Sequence, residues 1–126
     1  TSAAVGVTVS NAAPDTTPPT VTATSPASGV IGVSRTANIT ATFSEAMAAA
    51  TINTGTVELR DASGTLVPAV MTYSTANRRA TLNPTPTLNA LAIYTVTVKG
   101  GAADPRVKDV AGNALATSAI WSFTTR

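Results

Sequence analysis

The sequence contains neither cysteine nor histidine, and those two absences remove most of the usual chemistry of functional sites. Without cysteine there is no disulfide framework, no thiolate nucleophile and no zinc site built on thiolates, although export is not thereby excluded. With both absent, triad chemistry is reduced to serine with lysine, and neither Lys99 nor Lys108 has a serine in a suggestive local motif. Charge is scarce as well, at 11% of residues against about 25% in an average globular domain. Thr, Ala and Ser fill the gap, as in TVTATSPAS, and such weakly charged surfaces suit the outside of a cell. The eight Lys and Arg exceed the six Asp and Glu by only two, and they are scattered, with Arg78 and Arg79 the adjacent pair. Nucleic-acid binding needs a clustered basic stripe, so no nucleic acid is expected as a partner. Apolar residues are plentiful, at 44%, yet no run approaches the roughly 18–20 that a membrane span requires, so a soluble domain with no membrane insertion is expected.

What the sequence does have is a period of two. Ile39, Ala41 and Phe43 alternate with Asn38, Thr40 and Thr42, the pattern of a strand with one buried face. Val21 and Ala23, Val57 and Leu59, Ala69 to Tyr73, Ala80 and Leu82, Tyr94 to Val98, and Trp121 and Phe123 repeat it. The sum is an all-β chain of seven short strands separated by turn signals, which predicts a sandwich. Asp61-Ala62-Ser63-Gly64 and Ser74-Thr75-Ala76-Asn77 carry turn-tolerant residues and read as hairpin connections. One stretch breaks the period. In Ser44-Glu45-Ala46-Met47-Ala48-Ala49-Ala50 a capping serine and an acid precede an alanine run, which predicts one or two helical turns held by Met47 and Ile52. The expected core is Ile39, Phe43, Leu59, Tyr73, Leu82, Tyr94, Val96, Trp121 and Phe123.

At 126 residues the chain has room for one domain of ordinary size. The start differs from the rest: Val5, Val7 and Val9 alternate, and a Pro-rich segment through Pro18 and Pro19 then interrupts. Residues 1–13 therefore read as the tail strand of a preceding domain, 14–19 as a linker, and 20–126 as the sandwich. The alternative is that Val5 to Val9 add an edge strand to this domain. The chain begins at Thr1 without a charged segment followed by an apolar one, so an export signal is expected from a parent protein.

DTTPPTVTATSPASGVIGV, ITATFSEAM, YTVTVKGG, VKDVAGNAL and WSFTT, in that order over Asp15 to Thr125, resemble the bacterial Ig-like domain of S-layer and large surface proteins. The resemblance implies a seven-stranded immunoglobulin-like sandwich. It would repeat in tandem as a spacer beside adhesive, ice-binding or carbohydrate-active domains of the same exported polypeptide. The segment Gly100 to Arg106 is longer than the family pattern.

Each candidate site also has a structural role open to it. Tyr94, three residues after Leu91 at the start of a strand, reads as a tyrosine corner, whose hydroxyl bonds upstream backbone. Trp121, the single tryptophan, could stack on a sugar, but its strand places it with Phe123 on the inner face, leaving no exposed aromatic pair; a glycan held by polar loops stays open. Asp109 and Asn113, with Asp104, could supply oxygens to Ca²⁺. Calcium takes six to eight oxygens, so an Asx-type turn with Gly112 at positive φ is the preferred reading. Glu45 has no second carboxylate tied to it for glycosidase chemistry and reads as a first-turn acid. Around Phe43 and Met47 the motif also resembles periplasmic copper carriers, whose sites depend on histidine, and this chain has none. A Lys to Asn isopeptide crosslink and the Asn38-Ile39-Thr40 sequon are given no role. No enzyme activity and no cofactor are expected. Phe43, Met47, Tyr94, Gly112, Trp121 and Phe123 are expected to be structural.

Overall fold

The computed structural model describes residues 16–126, so the readings of Val5 to Val9 and of the segment up to Ala13 lie outside the described residues. Seven strands follow in order: β1 Val21–Ser25, β2 Ile39–Phe43, β3 Val57–Asp61, β4 Ala69–Ser74, β5 Arg79–Pro84, β6 Ile93–Val98 and β7 Ala119–Thr124. They form two antiparallel sheets, one ordered β1-β2-β5-β4 and the other β3-β6-β7.

The alternation seen in the sequence sets the register. Ile39 lies opposite Leu82 and Ala41 opposite Ala80 in the first sheet. In the second, Leu59 lies opposite Val96, and Val96 in turn opposite Trp121. Each pair puts two apolar side chains on one face, and the two faces close on a single core through Phe43, Met47, Leu88, Val98, Val107 and Phe123. A shift of one residue would expose every one of them, so burial fixes the pairing. Of the expected core, all are buried except Tyr73, which is partly buried and packs against the rest. Ile120, the apolar residue out of step in its strand, points outward and is exposed.

Three expectations need correction. Ala23 is exposed, because a bulge between Val21 and Ala23 shifts the parity of β1 and leaves Val21 and Thr24 as its half-buried residues. The helix expected from Ser44 shrinks to one 3-10 turn at Ala49–Thr51 with no side-chain cap. Ser44 is occupied elsewhere, its Oγ accepting from the Thr20 N–H at 2.9 Å. Met47 is drawn into an antiparallel bridge with Asp109, and its N–H donates to the Tyr73 hydroxyl at 2.9 Å. These tertiary bonds hold the backbone extended up to Ala48 and outweigh the small helix preference of the alanine run. Met47 and Ile52 are nevertheless buried, as the packing argument required. The third concerns Asp61 to Gly64. The turn forms, with Arg60 bridging Leu66 and the Val67 N–H donating to the Leu59 carbonyl at 2.8 Å, but the return arm then crosses to the other sheet to become β4.

One pairing had no sequence reading. After β1 the chain leaves the first sheet and runs beside β7: the Gly29 N–H donates to Ser122 O at 2.7 Å, Thr124 N–H to Val30 O at 2.9 Å, and Val33 N–H to Thr124 O at 3.1 Å. Val33 pairs with Thr125 in parallel. The first part of the sandwich is therefore bonded to both sheets.

Phe43 is 1% exposed and lies where β2 meets the Met47 crossover. Phe43→Ala is expected to lower the unfolding free energy by about 3–5 kcal/mol in urea melts, as large-to-small aromatic changes in cores do. A loss under about 0.5 kcal/mol would show that the register is wrong.

Candidate functional site

The candidate residues fall at opposite ends of the sandwich. At the end where the chain enters, the loop between β6 and β7 folds back against the crossover from β2 to β3. Gly100 opens that loop, and only glycine fits, because a Cβ there would lie 2.6 Å from the Leu115 carbonyl oxygen. The insertion expected to differ from the family pattern is tied at its base: Val107, fully buried, donates its N–H to Lys99 O at 3.0 Å, and Arg106 Nη1 donates to Gly101 O at 2.8 Å.

Asp109 is fully buried at the tip of this loop. Its Oδ1 accepts the Asn113 N–H at 2.7 Å, its Oδ2 accepts from Asn113 Nδ2 at 3.1 Å, and its own N–H donates to Asn113 O at 2.8 Å. Between them Gly112 adopts φ +95° and donates to Asp109 O at 3.0 Å. A side chain at Gly112 would be strained at that φ. The turn in turn holds the crossover: Ala48 N–H donates to Lys108 O at 2.9 Å, while Thr51 Oγ1 accepts the Lys108 N–H at 3.0 Å and donates to Ala48 O at 2.7 Å.

Asp104 sits earlier in the same loop but serves other partners. Its carboxylate lies 3.1 Å from Arg106 Nε and 3.2 Å from Lys108 Nζ, and these bonds, Lys108 foremost and then Arg106, hold its pKa below the ordinary carboxylate value. Asp104 and Asp109 are thus committed to different groups. Among the described residues no cluster of three or more Asp, Glu, His or Cys could hold a metal ion. Glu45 is half-buried in the crossover. Asp61, at the far end, accepts from Ser63 Oγ at 2.7 Å and from the N–H groups of Ser63 and Thr65, each at 3.0 Å; the Ser63 hydroxyl is the main cause of its lowered pKa.

Tyr94 lies at the exit end. Its ring stacks on Phe123 with centroids 5.9 Å apart, and its hydroxyl accepts the Asn89 N–H at 2.8 Å. Two residues that sequence reading did not single out complete the corner. Thr125, buried, accepts the Ala92 N–H and donates to Asn89 O, while Arg35 Nε donates to Leu88 O at 2.7 Å. Trp121 is 6% exposed on the inner face, so its ring is not offered to solvent. Two surface clefts of roughly 200 Å³ each exist, one against Leu59, Leu66 and Leu82, the other against Pro19, Val21 and Leu115; neither has an aromatic side chain in its wall.

Tyr94→Phe removes the acceptor for one backbone donor without opening a cavity. About 1 kcal/mol of stability should be lost, and the Asn89 amide should exchange with solvent faster. Unchanged exchange at Asn89 would contradict the corner geometry.

No curated protein sequence matches the chain significantly. Solved structures do, at identities that establish the fold alone. CopC from Methylosinus trichosporium OB3b is 18% identical with a TM-score of 0.67, and the match covers 85% of this chain and 92% of that one. The N-terminal part of the bacterial S-layer protein SbsC is 21% identical with a TM-score of 0.61, over 87% of this chain and 24% of that one. PcoC, a copper resistance protein from Escherichia coli, is 14% identical with a TM-score of 0.60, over 85% and 99%. The family model described as bacterial Ig-like domain matches residues 15–125, nearly the whole described structure, and the chain therefore belongs to the bacterial Ig-like domain family.

Proposed function

We propose that this domain is a non-catalytic spacer in a larger exported bacterial polypeptide, holding neighbouring domains apart at the cell surface or outside the cell. The observation that supports the reading is where the chain enters and leaves. Pro19 to Val21 border the same cleft as Leu115 to Ala119, so the entry lies beside the start of β7. The exit is at the other end of β7, where Arg126 N–H donates to Val33 O at 3.0 Å. A strand of six residues at about 3.3 Å each separates the two by roughly 20 Å before the end loops are added. Entry and exit at opposite ends let each copy add its length to a chain of modules. The assignment of 1–13 to a preceding module and of 14–19 to a linker belongs to this proposal, and so does the expectation that the neighbours are adhesive, ice-binding or carbohydrate-active.

The described side chains support the non-catalytic part: the buried acid is consumed by a turn, the large aromatics by the core and the corner. A copper site, which the name of PcoC as a copper resistance protein suggests, finds no histidine or cysteine ligand here. The second reading is a ligand-binding module for a glycan or Ca²⁺, with Asp104, Asp109 and Asn113 gathered on one loop as its named site.

Replacing residues 16–126 in the parent polypeptide by an unrelated sandwich of similar length is expected to leave the binding or activity of the flanking domains intact. Loss of ligand binding on that exchange would assign binding to this module and sink the spacer reading. Calcium separates the second reading more directly. Millimolar Ca²⁺ or a chelator is expected to leave the melting temperature unchanged, whereas a site at a hundredfold excess over Kd would add about 2.7 kcal/mol. A calcium-dependent rise that vanished in Asp109→Ala would make this a metal-stiffened module.

A further inference from the structure

The sandwich is fastened where the chain enters it and where the chain leaves. At the entry the Thr20 N–H donates to Ser44 Oγ at 2.9 Å and the Ser44 N–H donates to Thr20 O at 2.8 Å, so the chain is tied to the end of β2 before β1 begins. At the exit Thr125 is buried; its N–H donates to Ala92 O at 2.9 Å and its hydroxyl accepts the Ala92 N–H at 2.9 Å. Arg126 is bonded on both flanks, donating its N–H to Val33 O at 3.0 Å and accepting the Leu91 N–H at 3.3 Å on its own carbonyl. Neither end of the sandwich offers a loose strand from which peeling could start.

The direction of the strands decides how a pull on these two ends is carried. Both β1 and β7 start at the entry end, where Pro19 to Val21 and Leu115 to Ala119 border one cleft. After β1 the chain runs through Gly29 to Val33 parallel to β7, and β7 then ends at the exit. Tension between Thr20 and Arg126 therefore drags the first segment one way and β7 the other, each along the length of its neighbour.

The bonds that join the two lie across that sliding direction. They run from Gly29 N–H to Ser122 O, from Thr124 N–H to Val30 O, from Val33 N–H to Thr124 O and from Arg126 N–H to Val33 O. Sliding loads them side by side, so they have to fail together, whereas a hairpin opened from one end loses its bonds one at a time. The antiparallel pairs of β1 with β2 and of β7 with β6 are loaded in the same lengthwise sense. The pull passes along β1 into Gly29 to Val33, crosses to β7 and leaves at Arg126. Strand β4, at the far edge of the first sheet, lies off this path.

We infer that the run of Gly29 to Val33 along β7 is a mechanical clamp, which makes this domain resist tension between its entry and exit far more than tension along other axes. The clamp deepens the spacer reading and rests on it for the source of the tension, since a spacer joined to other domains is pulled by its two ends. Resistance to forced unfolding follows the unfolding rate and not the equilibrium stability. Residues on the path therefore govern the force at which the domain gives way, and residues off the path govern its melting temperature without governing that force.

The test is single-molecule force spectroscopy on this chain alone, which has no cysteine and so accepts handles at chosen pairs of sites. Thr20→Cys with Arg126→Cys pulls along the clamp. Leu91→Cys with Arg126→Cys places both handles at the exit end and opens β7 from β6 one pair at a time. The first axis is expected to need a severalfold higher force at the same pulling rate. Val33→Pro, which removes the N–H given to Thr124 O, should lower the force along the first axis severalfold. Met71→Ala in β4 should lower the melting temperature and leave that force unchanged. Equal forces along the two axes, or a loss in Met71→Ala as large as in Val33→Pro, would overturn the clamp. If Val33→Pro does not fold, the comparison of axes in the otherwise unaltered chain still decides. Failure here would leave the spacer reading standing, because that reading is tested by exchanging the domain within its parent.

Discussion

The structure depends on β7 being bonded along both edges. On one side β6 pairs with it in antiparallel register from Ile93 to Val98; on the other the segment after β1 runs beside it in parallel, from Gly29 to Val33. Because that segment continues from β1, which belongs to the opposite sheet, the first stretch of the domain ties the two sheets together and ties the entry of the chain to its exit. The core then has no choice of partner. Phe123 and Trp121 from one sheet and Phe43 and Ile39 from the other belong to the same buried cluster, and the hydrophobic effect completes what the hydrogen bonds align.

The polar residues are used inwardly at both ends. Asp109 and Asn113 satisfy each other and leave a closed turn on which the Met47 crossover is fastened, while Tyr94 and Thr125 satisfy the backbone of the β5 to β6 connection. Buried polar groups left without such partners would each cost on the order of 1–3 kcal/mol, and among the described residues Trp121 Nε1 is the one buried side-chain atom without a hydrogen bond. A chain with so little charge and no histidine or cysteine has few groups to spare for chemistry. Two of its acids are tied into the loop between β6 and β7, Asp109 by Asn113 and Asp104 by Arg106 and Lys108.

How much of this was legible in the sequence follows from the range of each interaction. Period-two alternation is a local signal, and it gave the seven strands, their inward faces and the outward Ile120. The turn at Gly112 and the corner at Tyr94 were legible because their partners lie within five residues. The rest depended on contacts far along the chain. Ser44 read as a helix cap because its true partner, Thr20, is 24 residues away. Ala23 read as inward because a bulge leaves no trace in hydropathy. The parallel run of Gly29 to Val33 along β7 spans some ninety residues of sequence, and the glycines that interrupt it hid its strand-like character. For the calcium candidates, proximity in sequence did not disclose that Arg106 and Lys108 hold Asp104 while Asn113 holds Asp109.

Bonding of β7 along both edges should hold entry and exit rigidly at opposite ends. The absence of cysteine allows a direct measurement: spin labels at Thr20→Cys and Arg126→Cys, with the distance between them read by pulsed electron paramagnetic resonance. A single narrow distance of about 20 Å or more is predicted, set by the length of β7. A short distance, placing both labels at the same end, or a broad distribution spanning many ångströms, would contradict it.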